Sequence, residues 1–454
     1  MADESKHEAP LLRAEEALNL AEVSAEELRR RLSEMHSREI AAVILDCSDD
    51  EQRQRLLLAV PPNQRGETLL ELPENMRENL LELLDAQHIE TVVRHLDSDD
   101  AADLLQALEP DVAQAVIERL EPEDRRELEP LMAHDEETAG GLMQAELFKV
   151  RQDWNIAKIL SVLRRWGREI EDLNYAYVVD GDNRLVGVIP LHELLFQEPD
   201  VLAGDVMDAE FPRAVAGQDQ EEVAHIFDKY DVLALPVVDE AGMLVGRITA
   251  DDIIDVVQEE ATEDMFRLAG LSDADDLTEP LYRSAWRRGV WLFVNLLTAI
   301  LASYVVSRFQ HTIAAIVALA VLMPIVAGIG GNAGTQTLTV VVRGLALGLI
   351  TFNNARRVLV RQIGIGIING VSLGLIMGAV ASLWFPALGW KLGLVIGLAM
   401  LTNMCAAGLF GALIPLTLRW IGIDPALASS IFLTTVTDIV GFAAFLGLAT
   451  MILL

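Results

Sequence analysis

The chain of 454 residues has only two cysteines, Cys47 and Cys405, far apart in the sequence. They exclude a disulfide framework or a cysteine-based zinc site as the organising feature of the fold. The chain also lacks the Gly-x-x-x-x-Gly-Lys-Ser/Thr loop that cradles nucleotide phosphates, which argues against an ATP-driven pump. The first residues, 1–5, are acidic and lack the basic and apolar regions of a signal peptide, so we expect the N-terminal part to stay in the cytoplasm.

Acidic residues are nearly missing from one part of the chain. From Leu281 to Leu454 there are 10 basic residues and only 2 acidic ones, Asp424 and Asp438, whereas the preceding part holds 25 basic and 67 acidic residues. This strongly acidic part is not expected to bind nucleic acid, but its carboxylates suit the binding of divalent cations. The sequence therefore predicts an acidic soluble part followed by a basic apolar part.

Five apolar runs fill the second part, and each reaches the ~20 residues that a helix needs to cross the hydrocarbon of a membrane. We predict an all-α membrane domain over 284–454, with spans at about 285–308, 312–342, 359–385, 391–418 and 425–454. Basic residues gather on alternate loops and predict a cytoplasmic N-terminus and an external C-terminus in a multi-pass protein of the plasma membrane, the inner membrane in a bacterium. The basic residues predicted on the outer side are only Arg308 and Lys391. Those predicted on the inner side are Arg287, Arg288, Arg343, Arg356, Arg357, Arg361 and Arg419.

Asp438 lies inside the last apolar run, which contains no Lys or Arg. A carboxylate at bilayer depth costs roughly 2.5–3.5 kcal/mol on insertion scales, so such a residue usually faces a pore, a cavity or a partner charge. The position of Asp438 therefore favours a role in an ion pathway. The alternative is a purely structural role. An intramembrane aspartyl protease would need two facing carboxylates, and Asp424 lies at the border of a span. We therefore expect no enzymatic activity.

The second apolar run contains the glycine-rich stretch 328–334. Glycines lack a Cβ, so Gly330 and Gly331 are expected to lie close to another backbone. Close helix packing would explain the glycines alone. The neighbouring amide of Asn332 and the carboxylate of Asp438 favour the lining of a pore instead.

The acidic part contains a tandem repeat. Residues 178–180 and 185–187 recur as 237–239 and 244–246, each copy reading as strand, turn, strand and helix. This predicts a pair of α/β modules over 138–261. Residues 1–135 read instead as an all-helical, superhelical array of short amphipathic helices, and 262–283 as a charged connecting helix that leads to the first span.

The sequence resembles the MgtE family of magnesium channels over nearly its whole length. The resemblance rests on Gly330-Gly331-Asn332-Ala333-Gly334 and Thr437-Asp438-Ile439-Val440-Gly441, and on the order of helical N domain, CBS-domain pair, connecting (plug) helix and five spans. It implies a Mg²⁺ uptake channel in the lipid bilayer, built as a homodimer. It also implies that cytosolic Mg²⁺ binds the acidic domains and closes the pore.

The resemblance carries specific residues with it. It implies that Asp438 binds hydrated Mg²⁺, with Gly330, Gly331, Asn332, Thr335 and Thr434 along the ion pathway. Two positions at which the family has an amide near the filter read Thr335 and Ser430 here. For each residue that matches a sensing carboxylate of the family, a solvated surface carboxylate is the alternative. Those residues are Glu67, Asp99, Asp103, Asp219, Glu221, Asp231, Asp252, Asp255, Glu260, Glu263, Asp264 and Asp424.

Two questions stay open at the level of sequence. Family members that bind ATP at the CBS pair tend to have an aromatic residue and an arginine in the cleft, and the corresponding positions here read Val232 and His192. ATP binding is therefore left undecided. The alternative function is a CBS-regulated transporter of Co²⁺, Mn²⁺ or Zn²⁺. The absence of a Cys or His cluster from the pore motifs favours a hard cation such as Mg²⁺.

Overall fold

The structure is a computed structural model of the full chain, and it describes residues 24–47, 49–167, 170, 173–271, 281–426 and 429–454. The chain forms two compact units, one up to Gln258 and one from Glu259 onward. Each unit is described by itself.

Short helices make up the first part of the first unit, as the sequence predicts. Proline occupies the first turn of three of them, where its missing N–H costs no hydrogen bond. The side chain of Asp85 caps another by accepting a hydrogen bond from the backbone N–H of His88 at 2.9 Å. The helices are α1 (Ala25–Leu32), α2 (Ser37–Leu45), α3 (Asp50–Ala59), α4 (Pro62–Leu70), α5 (Glu74–Glu82), α6 (Ala86–Val93), α7 (Ser98–Gln106), α8 (Pro110–Ile117) and α9 (Pro122–Leu131).

The predicted repeat forms two three-stranded sheets of the same topology. In each sheet the first strand pairs parallel with the second, and the second pairs antiparallel with the third. The register shifts at the same place in both copies, between Val178 and Val179 and between Val237 and Val238. The strands are β1 (Lys149–Arg151), β2 (Tyr175–Val179), β3 (Leu185–Pro190), β4 (Ala214–Val215), β5 (Ala234–Val238) and β6 (Leu244–Thr249). The helices are α10 (Ile156–Trp166), α11 (Ala203–Val206), α12 (Gln220–Tyr230) and α13 (Ala250–Leu268), the last of which continues into the second unit.

The short helices and the second repeat share one apolar core. It includes Leu105 of α7, Val223 of α12 and Ile248 of β6, all of which are fully buried. A polar contact reinforces it: the hydroxyl of Ser98, at the start of α7, donates to the carboxylate of Glu146 at 2.8 Å and accepts from the N–H of Ala145 at 2.7 Å. The start of α7 is thereby fixed against the chain that leads into β1.

The second unit contains five helices that are long and apolar enough to cross a membrane, as predicted. They are α14 (Leu281–Ser307), α16 (Ala318–Ala346), α17 (Ala355–Trp384), α18 (Gly389–Trp420) and α19 (Ser429–Leu453), and a short helix, α15 (Gln310–Ala315), precedes the second. The predicted start of the second span at 312 is wrong, because the helix breaks at Ile316, whose φ of −133° and ψ of 82° are not helical. The predicted connector at 262–283 overlaps the end of α13 and, at residues 281–283, the start of α14, and its residues 272–280 lie outside the described residues.

Small residues let α17 and α18 pack closely. A Cβ added to Gly374 would lie 2.8 Å from the carbonyl oxygen of Gly397, and one added to Gly378 would lie 2.8 Å from that of Gly393. In a bilayer no hydrophobic force drives two apolar helices together, so close van der Waals contact through glycine is the usual substitute. The glycines therefore fix the helix pair against which α16 and α19 pack.

Candidate ion pathway and cation-binding sites

Asp438 lies in the middle third of α19 and is half-buried. In the part of the chain that the structure describes, its carboxylate has neither a hydrogen-bond partner nor a basic partner. The preceding residue, Thr437, is fully buried, and its hydroxyl contacts the carbonyl oxygens of Leu433 at 3.1 Å and Thr434 at 3.0 Å. The helix therefore holds Thr437 inward and leaves the Asp438 carboxylate available to a ligand.

Asn403 of α18 lies where α16 and α19 cross it. The side chain is fully buried and donates from Nδ2 to the carbonyl oxygen of Val326 at 2.9 Å, while its Oδ1 is buried without a partner among the described residues. A Cβ added to Gly441 would lie 2.7 Å from Nδ2, and one added to Gly330 would overlap the same amide. Asn403 thus links the two motifs that carry the resemblance. The sequence analysis missed it, although an asparagine inside an apolar run was the available signal.

The structure corrects the expectation for the two motif glycines. Gly330 is closely approached, but by the side chain of Asn403 and not by a backbone. Gly331 was expected to contact another backbone, and this is wrong within the subunit, because a Cβ added there meets nothing within 4 Å. The helix α16 also continues without interruption through this stretch.

The predicted polar pathway residues are exposed on the isolated subunit. Asn332, Thr335 and Thr434 all have exposed side chains. The hydroxyl of Thr335 donates to the carbonyl oxygen of Gly331 at 3.1 Å, and that of Thr434 donates to the carbonyl oxygen of Ser430 at 2.8 Å. A hydroxyl that donates to its own helix keeps oxygen lone pairs for a water or a cation.

At the end of α13, Arg267 forms ion pairs with Glu263 and Asp424. Burial, followed by the charges of Asp424 and Glu260, raises the pKa of Asp264 to about 6. The structure therefore brings four of the predicted cation-binding carboxylates to one end of the connector. It also places a guanidinium among them that the sequence analysis did not identify.

A second acidic group lies in the first unit, where α7 meets the start of α13. Asp99 is only 6 % exposed, and burial, followed by the charge of Asp252, raises its pKa well above the usual range. The same two causes raise the pKa of Asp100 to about 7, and burial raises that of Asp252 to about 6. Asp252 accepts hydrogen bonds from the hydroxyl of Thr249 at 2.6 Å and from the amide of Gln144 at 3.4 Å.

Of these acids, Asp100 was missed by the sequence analysis. Asp103, which was predicted, lies on the same helix, and its Oδ1 is buried. One carboxylate oxygen of Asp99 is also buried and has no hydrogen-bond partner among the described residues. Buried like charges of this kind are costly unless a proton or a cation neutralises them.

The remaining predicted carboxylates are dispersed. Glu67 accepts a hydrogen bond from the hydroxyl of Ser37 at 2.6 Å, and Asp219 caps α12. Asp231 ends that helix in the left-handed region, at a φ of 51°. Glu221 and Asp255 are exposed. Across the described ranges, no three acidic, histidine or cysteine side chains converge as a complete metal site.

The CBS-pair positions at issue for ATP differ in environment. Val232 is 9 % exposed and belongs to the apolar core of the first unit. His192 is exposed at the start of the short 3₁₀ helix Glu193–Leu195. Neither side chain supplies a large aromatic face for stacking on an adenine ring.

Three family models match the chain. Residues 323–448 match MgtE, described as a divalent cation transporter, and 17–137 match the MgtE intracellular N domain. Residues 139–198 and 203–259 each match the CBS domain. The matches follow the same order as the helical array, the two repeats and the apolar helices.

Two known magnesium transporters and one solved structure are similar to this chain. The magnesium transporter MgtE of Thermus thermophilus is 36 % identical over 333 residues, which cover 72 % of this chain and 73 % of that protein. The magnesium transporter MgtE of Enterococcus faecalis is 35 % identical over 329 residues and covers 72 % of both chains. A crystal structure of the cytosolic domain of the Mg²⁺ channel MgtE in complex with ATP is 35 % identical, with a TM-score of 0.50, and covers 53 % of this chain and 98 % of that one.

Proposed function

Because this chain belongs to the MgtE family of magnesium transporters, we propose that it is a homodimeric Mg²⁺ channel whose ion pathway passes Asp438. The observation that carries the proposal is the position of this carboxylate, half-buried in a membrane-spanning helix without a basic partner among the described residues. The family relation and the cost of a carboxylate at bilayer depth support it together. The acidic domains would be cytosolic and the C-terminus external.

The chemistry of Mg²⁺ explains why two subunits are needed. Mg²⁺ dehydrates reluctantly and is usually held by one or two carboxylates while it keeps several waters. One subunit supplies one carboxylate, and a second copy at the axis supplies the charge that balances a divalent ion. The exposed oxygens of Asn332, Thr335 and Thr434 would then contact the waters that the ion retains.

The choice of cation is part of the proposal. The motif residues offer carboxylate, amide, hydroxyl and backbone oxygens and no sulfur or imidazole. Such ligands suit Mg²⁺ and Mn²⁺ better than Zn²⁺ or Co²⁺. A transporter of one of these other divalent cations is the competing function, and a flux assay separates the two.

The acidic groups support a regulatory role for cytosolic Mg²⁺. Asp99, Asp100 and Asp252 repel each other in a buried place, and a bound divalent cation would remove that cost. Asp264 and Asp424 form a similar pair next to the membrane helices. A cation that binds the compact arrangement more tightly than the open one shifts the equilibrium toward it. We propose that this compact state is the closed one.

The pathway is tested by divalent flux into liposomes that contain the purified full-length protein. We expect Mg²⁺ to enter faster than Ca²⁺, Mn²⁺, Co²⁺ or Zn²⁺, and Asp438→Asn to abolish this uptake while leaving the dimer intact. The matched control is Ser372→Ala, since Ser372 is an exposed residue of α17 whose hydroxyl bonds only to its own helix, at the carbonyl oxygen of Ile368. Uptake at the normal rate by folded Asp438→Asn would remove Asp438 from the pathway.

ATP is a second ligand that we propose for the CBS pair, because the solved relative described above carries it. The exposed imidazole of His192 could donate hydrogen bonds to a phosphate, but Val232 offers no ring to stack on adenine. We therefore expect weak binding that His192→Ala weakens further. Calorimetric titration of both proteins with ATP tests this, and equal affinities would argue against a phosphate at His192.

A further inference from the structure

A groove of about 530 Å³ runs between α16 and α17 on the surface of α18. Its volume lies in the range of pockets that hold small organic ligands, roughly 300–1,000 Å³. Both helices pack on α18, and the tight contact of α17 with α18 near Gly366 forms part of its floor, because a Cβ added there would lie 2.5 Å from the carbonyl oxygen of Met404. The groove therefore belongs to the helix packing of the subunit.

Besides Thr337, whose hydroxyl donates to the carbonyl oxygen of Ala333 in its own helix, four polar side chains line this largely apolar groove: Gln336 of α16 and Arg361, Gln362 and Asn369 of α17. Gln362 is only 7 % exposed. None of the four forms a hydrogen bond or an ion pair with another described residue. Amide groups within the span of a membrane helix are costly unless they have a partner. The groove thus presents an arginine and three amides that need a polar ligand.

The depths of these residues along the membrane helix match the positions of the headgroup and the acyl chain of a lipid. At 1.5 Å of rise per residue, Arg361 lies ~9 Å from the start of α17 at Ala355, and Asn369 lies ~21 Å from it. The helix has 30 residues, so its midpoint lies ~22 Å from the same end. The groove therefore begins with a cation near the headgroup level and extends to about the middle of the bilayer, which is the reach of one acyl chain.

The occupant is better explained as a lipid than as a second copy of the chain. Val340 of α16 also lines the groove and is nine residues from Gly331, which is a rotation of about 180° around the helix at 3.6 residues per turn. Gly331 and Thr335 lie on the face that we assign to the ion pathway and the subunit axis. The groove therefore opens in another direction, toward the lipid phase. The direction in which the groove opens is the one step of this inference that rests on the proposed function.

We propose that the groove between α16 and α17 binds an anionic phospholipid. The phosphate would pair with Arg361, the amides of Gln336 and Gln362 would donate to the ester oxygens, and an acyl chain would lie along Ile365 toward Met404. Basic pockets between membrane helices are a known means of recognising such headgroups. The charge of one arginine makes the site selective for an anionic over a zwitterionic lipid.

The test is native mass spectrometry of the delipidated full-length protein, titrated with phosphatidylglycerol or with phosphatidylcholine of the same acyl chains. We expect saturable binding with a preference for phosphatidylglycerol. Arg361→Gln should lower the affinity for phosphatidylglycerol roughly fivefold, the effect of one arginine near an anionic lipid, and Ile365→Trp should weaken both lipids by filling the groove. The matched control is Arg356→Gln, an exposed arginine in the first turn of α17 that does not line the groove.

Four outcomes would overturn the proposal. They are equal binding of the two lipids, equal losses in Arg361→Gln and Arg356→Gln, and competition by soluble glycerol phosphate as effective as that by the lipid. The fourth outcome uses the variant Asn369→Cys in a chain in which Cys47 and Cys405 are changed to Ser. A disulfide-linked dimer of this variant would place a second subunit, and not a lipid, at the groove. Mg²⁺ flux of these variants, measured in parallel, shows separately whether the ion pathway is intact.

Discussion

The guanidinium of Arg267, at the end of α13, forms an ion pair with Asp424, in the loop between α18 and α19. The same guanidinium also pairs with Glu263. A basic side chain thus occupies the place where the family resemblance puts a regulatory divalent cation. In the structure, Arg267 supplies the positive charge that these carboxylates require.

We predict that Arg267→Gln makes the channel more sensitive to cytosolic Mg²⁺. Without the guanidinium, the carboxylates of Glu263, Asp264 and Asp424 are less neutralised and bind Mg²⁺ without competition. A partly exposed ion pair contributes about 0.2–1 kcal/mol, so the half-inhibitory concentration of Mg²⁺ should fall up to about fivefold. Open probability in single-channel recordings measures this, with Arg308→Gln, on the opposite side of the membrane domain, as the control. An unchanged or higher half-inhibitory concentration would contradict competition by Arg267.

The two motif glycines should differ in their tolerance of a methyl group. Gly330→Ala places a Cβ on the amide of Asn403, so we expect a loss of about 1–3 kcal/mol in the free energy of unfolding, as for other overpacked sites. Gly331→Ala meets open space within the subunit and should not destabilise it. Thermal unfolding of the two purified variants measures the difference, and equal midpoints would show that Asn403 yields without cost.

A double variant tests whether Asn403 is the cause. Asn403→Ala removes the amide that crowds Gly330 and the hydrogen bond to Val326, so it should be destabilising on its own. Combined with Gly330→Ala, it provides room for the new methyl group. We expect the two losses to be less than additive by at least about 0.5 kcal/mol, the lower limit of coupling for residues in contact. Strict additivity would mean that the two positions act independently.

The buried acids of the first unit should make its stability depend on pH. Because the folded-state pKa values of Asp100, about 7, and Asp252, about 6, lie above the usual value of 3.8, their protonated forms favour the folded state. The stabilisation is complete below a pH of about 4 and is lost as the pH rises through 6 and 7. Without Mg²⁺, proteolysis of residues 24–258 in the full-length protein should therefore be slower at about pH 5.5 than at about pH 7.5.

Mg²⁺ should remove most of this pH effect, because it replaces the protons as the neutralising cation. The variant Asp99→Asn, Asp100→Asn, Asp252→Asn should also show little dependence on pH. If this variant keeps the full pH effect, these three aspartates are not the groups responsible for it.

Gating by Mg²⁺ should depend on the same acids. Replacing Asp99, Asp103 and Asp252 by Asn removes the charges that a bridging cation would neutralise, while Asp438 is untouched. We expect these channels to stay open at cytosolic Mg²⁺ concentrations that close the unchanged protein. The control is Asp182→Asn in the exposed β2–β3 hairpin. A dose response of the triple variant that matches the control would refute sensing at these residues.

Much of the architecture could be predicted because it depends on local patterns. Alternating strands and turns define the two repeats, regular amphipathic segments define the helical array, and long apolar runs define the membrane helices. The start of the second span was predicted wrongly because apolar composition is the same on both sides of the break at Ile316, and only backbone angles reveal it.

The site was predicted less completely. Asp438 could be identified because a carboxylate in an apolar run is visible in the sequence itself, however the helices pack. Asn403, Arg267 and Asp100 were missed because each matters through a residue distant in the sequence: Asn403 contacts Val326, Arg267 contacts Asp424, and Asp100 faces Asp252.

The sequence by itself determined the division into an acidic soluble part and a basic membrane part, the repeat, and the intramembrane carboxylate. These follow from composition and periodicity, which act through solvation and local backbone preference. Only the tertiary structure decided that Asn403 fills the space beside Gly330, that Gly331 is open within the subunit, and that Arg267 neutralises Asp424. The reason is physical: close contact and charge pairing fall off within a few ångströms, and the folded backbone alone sets which distant residues come that near.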